Sequence, residues 1–578
     1  MRTFASTAAG RLQRWCGHPL VAALLLALLC AALHYRALDS GWHYDDPAHL
    51  NFVARYAPWQ YFTLPAVMLE QSYAHITPWN AFFYDLGLPF FGLEARGHYL
   101  HLLVVLWATA VATWALLRRW LPPGPALAGA ALFLLMPATG VVGQLLMTGH
   151  YAYGLLFSVL ALHAFSAAVR SGRWAPALVA ALFYALACLC KELYVPLVGV
   201  LLFWPEGGWR RRLRVALPAF AVAAGYAAWR LWLMGGVGGY VRTPANESRN
   251  LSLLLEQSGN ALSAFWQLAF GTGALGLVAL LAALVLVAWG MRRGRRLTPL
   301  FVLVCAAVLA FPLVGVMLQQ AHFEWVAGRF LLFVGWGLAM LLAWQLPALG
   351  RWQAPALLAV ALPLAVASHA ATESIFASQA VVKAQNGFLA TAPAGAAMLT
   401  QQSCSIRYPD QMAQAAAALR HHAPTRLVHD LEELQTVSPQ QGPAVQTYDE
   451  SCGCMRPLGA EYGALLDDFA KRLAQGRGRA LDVTLALERT PRGRIFRWNV
   501  QSPDEGATCL DLRAFIRSFV PPKGEAAFGL DSTLRLDGKM EVRVIRTYPD
   551  GARVHSPILE LDAEQGSTVA WTAPRAGP

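Results

Sequence analysis

The stretch HPLVAALLLALLCAALHYRALDSGWHYDDP, His18 to Pro47, decides the fold. Its first part, His18–Leu33, carries no Asp, Glu, Lys or Arg and follows a basic start at Arg2, Arg11 and Arg14. That is the pattern of a secretory signal. No small-residue cleavage site follows the run, however, and Cys30 is preceded by Leu29 rather than by a small residue, which argues against a lipoprotein site. The run is expected to remain as a first membrane span. Directly beyond it stands Trp42-His43-Tyr44-Asp45-Asp46-Pro47, two adjacent carboxylates next to an apolar helix.

The rest of the chain continues the apolar pattern. Of 578 residues, 56% are hydrophobic and 14% charged, against about 25% charged in a soluble domain; the mean hydropathy is +0.41. Disordered, collagenous, coiled-coil and small disulfide-stapled classes are thereby excluded. Runs approaching the roughly 20 residues that cross a bilayer recur near Tyr99–Leu117, Ala126–Leu146, Tyr151–Val169, Pro176–Cys190 and Tyr194–Trp204. Others lie near Val215–Met234, Ala261–Met291, Leu297–Leu318, Phe330–Leu346 and Ala354–Ser368. The expectation is an α-helical polytopic membrane protein of about eleven transmembrane helices over residues 1–371, followed by a soluble, extracytoplasmic domain over 372–578.

Short cytoplasmic loops collect Lys and Arg, and this sets the expected orientation. With the N-terminus inside, the inner loops hold Arg118 and Arg119; Arg170 and Arg173; Arg210, Arg211, Arg212 and Arg214; Arg292, Arg293, Arg295 and Arg296; and Arg351. Much of the +12 net charge is this topogenic arginine, so no nucleic-acid partner is implied. An odd number of spans puts the C-terminal domain outside, in the periplasm if the membrane is a bacterial inner membrane. Cysteine usage agrees: Cys404, Cys452, Cys454 and Cys509 form an even set in a compartment that permits disulfides. Zinc at Cys452-x-Cys454 is the alternative, without the usual two-residue spacer or a matching pair. Cys16, Cys30, Cys188, Cys190 and Cys305 lie in or beside apolar runs and read as small core residues.

Carboxylates of the membrane half gather on the outer side. Asp39, Asp45, Asp46, Glu70, Asp85 and Glu94 fall between the first two spans, and Glu192, Glu247, Glu256 and Glu324 in or beside later outer loops. Residues 35–97, rich in Trp and Tyr, suit the membrane–water interface and predict in-plane helices near Asp46–Tyr56 and Thr77–Phe91. Two readings of Asp45 and Asp46 stand side by side. One is a helix start, since Asp followed by Pro47 suits an N-cap. The other is a base or a cation ligand.

Here a resemblance enters. Tyr44-Asp45-Asp46 just outside a first span resembles the acidic motif of the GT-C superfamily of polyprenyl-phosphate-sugar-dependent glycosyltransferases. Tyr73-Ala-His-Ile-Thr-Pro78-Trp-Asn80, Phe90-Phe91-Gly92-Leu93 and Gly97-His98-Tyr99-Leu100-His101-Leu102-Leu103 are similar to a run of its protein-O-mannosyltransferase-like and TMTC-like branch. Cys190-Lys191-Glu192-Leu193-Tyr194-Val195-Pro196 and Glu324-Trp-Val-Ala-Gly-Arg329-Phe330-Leu331 look like two later segments of that branch. The similarity covers roughly residues 18–370. It departs at Thr77, where the branch has arginine, and at Glu324, which stands five positions from Arg329 instead of adjacent.

The resemblance implies single-displacement sugar transfer with inversion on the outer face. Asp45, with Asp46 as understudy, would be the general base. Lys191 and Arg329 would hold the donor phosphate, and His43, Tyr44, Glu192, His101, His150 and Glu324 would contribute to substrate binding. Charge at the border of apolar spans supports these positions independently, as does the fit of Lys and Arg to phosphate. Their blander readings are a snorkelling Lys191 and a topological anchor at Arg329. No cofactor is required; a divalent cation at Asp45 and Asp46 is compatible but not demanded. The expected partners are a polyprenyl-phosphate-linked sugar, a glycan, lipid or protein acceptor, and membrane lipids. In the C-terminal part, helices near Asp410–His421 and Glu461–Leu473 alternate with strands near Ala397–Gln401 and Arg426–His429. Alternation at Leu481–Leu487, Arg494–Val500, Thr533–Leu536, Met540–Tyr548 and Ile558–Leu561 then predicts an antiparallel sheet or sandwich. A transporter or lipid-linked-glycan flippase is the competing class; it predicts repeated halves and broken midplane helices. A non-catalytic sensor or assembly protein is the third.

Overall fold

The computed structural model describes residues 17–72, 75–234, 265–293, 325–400, 408–428, 434, 445–459, 461–490, 493–512, 524–531, 538–562 and 564–574. Their packing forms two units. The first takes the described residues within Met1–Ser40, Pro58–Tyr240 and Asn250–Gln379; the second takes those within Gly41–Ala57, Val241–Arg249 and Ala380–Pro578. The first unit therefore runs a few residues beyond the boundary expected at 371, because the helix Gln353–Ser378 continues without interruption. The short segment carrying Asp45 and Asp46 groups with the second unit rather than with the spans that flank it.

The first unit is a polytopic helical bundle. Among the described residues six helical stretches are long and apolar enough to cross a membrane, or seven if one bent pair counts as a span. The described residues do not confirm the expected eleven, for identifiable reasons. Ala126–Leu146 is broken into Pro123–Leu135 and Pro137–Gly143, bent by 57°. Met136 has extended backbone (ψ 135°), as the residue before a proline prefers. Trp174–Cys190 and the helical stretch from Glu192 to Leu201 are too short to count, and Leu297–Leu318 lies outside the described residues. Phe330–Leu346 and Ala354–Ser368 are the helices Leu332–Gln345 and Gln353–Ser378, joined through Gly350 at φ +54°. The interfacial segment forms Asp46–Val53 and Pro78–Phe91 close to the expected bounds, with shorter helices Gln60–Thr63 and Pro65–Gln71 between them.

Among the described residues the second unit contains three four-stranded sheets. β1 (Ala397–Leu399) lies between β2 (Arg426–Val428) and β3 (Gln446–Asp449), parallel to both, and β4 (Cys454–Pro457) adds antiparallel to β3. The other two sheets make a sandwich. In one, β5 (Asp482–Thr490) pairs with β6 (Gly493–Gln501) and β12 (Ser567–Thr572), and β6 with β8 (Gly524–Asp531). In the other, β9 (Lys539–Thr547) pairs with β7 (Ala507–Leu512), β10 (Arg553–His555) and β11 (Leu559–Asp562). Alternate residues point inward, so Val483, Leu485, Phe496 and Trp498 of one sheet meet Leu510, Met540, Val542 and Leu561 of the other in one core. The strand expected at Thr533–Leu536 lies outside the described residues; β3, β4, β7, β8, β10 and β12 were not anticipated. Helices Ala380–Thr391, Tyr408–Arg420 and Glu461–Gly476 complete the unit.

Candidate functional site

The first unit builds a buried ionic cluster at one end of its bundle. Helix Trp174–Cys190 stops at Lys191, whose backbone turns extended (φ −162°, ψ 142°), and Pro196 follows five residues later. Two tyrosines pin the turn: the Tyr184 hydroxyl donates to the Val195 carbonyl and the Tyr194 hydroxyl to the Tyr151 carbonyl, both at 2.6 Å. Gly154 is needed for this, because a Cβ there would stand 2.2 Å from the Tyr194 ring. Arg173 and Arg170 lie at the opposite ends of these helices from Lys191 and Tyr151. The cluster thus forms at the end of the bundle remote from Arg170 and Arg173.

Glu192 is its centre. One carboxylate oxygen accepts from the Ile76 N–H at 3.0 Å and from the Arg230 guanidinium. The other stands 3.3 Å from His75 Nδ1 and 4.0 Å from Lys191 Nζ. All four side chains are between 9% and 21% exposed, so the pairing occurs largely out of water. Burial, with Lys191 adding to it, holds the His75 imidazole below its ordinary range despite the pull of Glu192. Lys191 Nζ lies 5.7 Å from the Tyr151 ring centre, the Tyr151 and Phe330 rings are 6.1 Å apart, and the Arg329 guanidinium sits 4.4 Å over Phe330. Lys191 and Arg329 therefore flank one aromatic pair, near enough to repel each other. Arg329 also donates to the Val326 carbonyl at 2.7 Å, and among the described residues it makes no ion pair. His150, 5% exposed, packs its ring 4.5 Å from Tyr151.

The electrostatic sum is lopsided. Lys191, Arg230 and Arg329 bring three positive charges to a site where, among the described residues, Glu192 brings one negative. Excess charge away from water is expensive, and a bound anion would offset it. Guanidinium and ammonium groups suit phosphate oxygens.

Asp45 and Asp46 belong to the second unit. Tyr44 is held at φ +49°, a conformation rare for a residue with a side chain. Asp46 is fully buried, and its carboxylate accepts the His43 N–H at 3.0 Å, closing the turn on itself. Asp45 occupies the N-cap position of helix Asp46–Val53, yet its side chain makes no capping hydrogen bond; the carboxylate is exposed. The cap reading therefore holds for position and not for chemistry. His43 is buried beside Tyr44, the rings 5.3 Å apart.

His101 has another setting. Its ring stacks on Phe83 at 5.2 Å and its Nε2 is 2.6 Å from the Tyr153 hydroxyl, while His98 contacts the Gly92 carbonyl at 3.0 Å. Both histidines thus engage neighbouring groups of the fold. Glu324 and Cys404 fall outside the described residues. Cys452 and Cys454 are joined in a disulfide in the β3–β4 hairpin, and Cys509 is also disulfide-bonded. Among the described residues no group of three or more His, Cys, Asp or Glu side chains gathers as a metal site. Arg230 and Tyr151 were missed by sequence reasoning. An arginine inside the apolar run Val215–Met234 was the available signal for the first; nothing in the sequence distinguishes the second.

No family model matches the chain, and no curated protein matches it. Among solved structures it is similar to ArnT from Cupriavidus metallidurans in the apo state, with 14% identity and a TM-score of 0.42, over 74% of this chain and 93% of that one. It is also similar to the archaeal oligosaccharyltransferase AglB from Archaeoglobus fulgidus, solved with an inhibitory peptide and a dolichol-phosphate. That pair shares 10% identity at a TM-score of 0.39, over 94% and 97% of the two chains. Likeness this distant carries no functional statement about this chain.

Proposed function

We propose that the chain is a membrane glycosyltransferase of GT-C type that moves a sugar from a polyprenyl-phosphate carrier to an acceptor on the outer face of a bacterial inner membrane. The observation that carries this reading is the gathering of Lys191, Arg230 and Arg329, three cations against the one carboxylate of Glu192 among the described residues, at the end of the bundle remote from the arginine-rich loops. The order of motifs along the sequence, similar to the protein-O-mannosyltransferase-like branch, supports it independently.

In the reaction, Asp45 takes the proton of the acceptor hydroxyl or amine as the acceptor atom attacks the anomeric carbon. The bond from that carbon to the phosphate oxygen breaks, the configuration inverts, and polyprenyl phosphate leaves with the bonding electrons. Lys191 and Arg329 meet the negative charge that develops on the departing oxygen. Glu192, neutralised by Arg230, holds the Lys191 turn in place. No metal is needed for these steps, and a divalent cation at the acidic turn would serve the same phosphate.

The test is transfer from radiolabelled polyprenyl-phosphate sugars by purified wild type and Asp45→Asn. Loss of about 10²–10⁴-fold with donor binding retained is expected, whereas equal transfer dismisses the base. A flippase is the second reading, favoured by the 57° break at Met136–Pro137, since broken helices line transporter sites. It predicts movement of lipid-linked glycan across proteoliposomes without a new glycosidic bond.

A further inference from the structure

The acidic turn follows the first span within a dozen residues, so the span would be expected to position it. Another part of the chain packs against the turn. Gly41–Ala57 groups with the residues after Ala380, and three contacts show how. Asn386, fully buried on helix Ala380–Thr391, donates its side-chain N–H to the Trp42 carbonyl at 2.9 Å. One turn earlier on that helix, the Lys383 side chain covers Gly41, where a Cβ would stand 2.9 Å from Lys383 Cγ. Farther on, helix Asp46–Val53 lies along helix Tyr408–Arg420, and Asn51 Nδ2 donates to Gln414 Oε1 at 3.0 Å.

Between these anchors the turn is conformationally demanding. Gly41 and Tyr44 both have positive φ, +67° and +49°, and Asp46 spends a carboxylate oxygen on the His43 N–H. Such a backbone persists only where its surroundings over-determine it. Trp42, 1% exposed, would be left with a carbonyl lacking this donor if Asn386 were apolar.

We infer that the C-terminal unit is the positioning device of the acidic turn, with Asn386 as a positioning residue that acts through the Trp42 carbonyl on the aim of Asp45. The inference rests on the role proposed above for Asp45, and it gives the domain after Ala380 a part in the reaction. Catalytic geometry is sensitive to small displacements: a shift of about 1 Å costs on the order of 100-fold.

Two measurements on the full-length protein decide it. The first reads no activity. Asn51→Cys combined with Gln414→Cys should be bridged within the chain by a short bifunctional thiol reagent such as a bis-maleimide, since only the side-chain tips of the native pair touch, as peptide mapping would show, whereas each single variant should not. Absence of the cross-link overturns the docking whatever becomes of the glycosyltransferase reading. The second is kinetic. Asn386→Leu should lower kcat by about tenfold or more with the KM for the lipid donor within about twofold, and should cost nothing further in an Asp45→Asn background. Introducing the cross-link into Asn386→Leu should recover kcat. If Asn386→Leu does not accumulate, the smaller Asn386→Ala, which removes the same donor, should show the same loss of kcat. An unchanged kcat in whichever of the two accumulates, or a full multiplicative loss in the Asp45→Asn background, overturns the positioning role. Full transfer by Asp45→Asn removes the base that Asn386 would position, while the cross-link still decides the docking.

Discussion

Replacing Glu192 by Gln removes the carboxylate from the ionic cluster while keeping its shape. The amide oxygen still accepts the Ile76 N–H, so the perturbation is almost purely one of charge. Lys191 and Arg230, 11% and 15% exposed at the side chain, then face each other and Arg329 with no carboxylate among the described residues between them. Breaking a buried ion pair on one side costs about 3–5 kcal/mol; with Glu192 itself 21% exposed, the low end, about 3 kcal/mol, applies. A chain of this size shifts its midpoint by less than the 2–4 °C per kcal/mol typical of 150–250 residues. Thermal unfolding in detergent should therefore drop by about 2–3 °C, at an unfolding entropy of about 2.1 cal/mol/K per residue over 578 residues. Adding a polyprenyl phosphate should restore more stability to Glu192→Gln than to wild type, because the ligand supplies the missing negative charge. Arg230→Met in the same background should recover much of the loss, since removing both partners of a buried pair is often nearly neutral. A midpoint within about 1 °C of wild type, with no extra response to the lipid phosphate, would refute the claim that this cluster holds an excess of buried positive charge.

Three further outcomes follow from other sites. Gly154→Val should destabilise by more than about 2 kcal/mol in detergent unfolding, because the new side chain meets the Tyr194 ring that pins the Lys191 turn. Asp85, to which the Tyr61 hydroxyl donates at 2.5 Å, has its carboxyl pushed up by burial to about 6 from an ordinary 3.8. The native state thus binds the extra proton between those values, stability falls as pH rises through 6, and Asp85→Asn should unfold at a higher temperature than wild type at pH 7.5 but not at pH 4. The Cys452–Cys454 disulfide closes a very short loop, so a Cys452→Ser, Cys454→Ser variant should lose no more than about 2 kcal/mol by denaturant unfolding.

The sequence by itself determined the polytopic character, the approximate places of most spans and part of the alternation that builds the C-terminal sandwich. These depend on period and length: an apolar run near bilayer length can hardly be anything but a membrane helix, and residues such as Val483, Leu485 and Leu487 alternate as a half-buried strand must. It also singled out Lys191 and Arg329, because charge beside an apolar run stands out in one dimension. Tertiary structure alone decided their company. Glu192 meets Arg230 across 38 residues and His75 across 117, and no local periodicity encodes such encounters. The same holds for the acidic turn, next to the first span along the chain and yet held by Asn386, 344 residues from Trp42. Local patterns record what each segment buries, whereas partners are chosen by packing among segments whose separation along the chain leaves no mark on either.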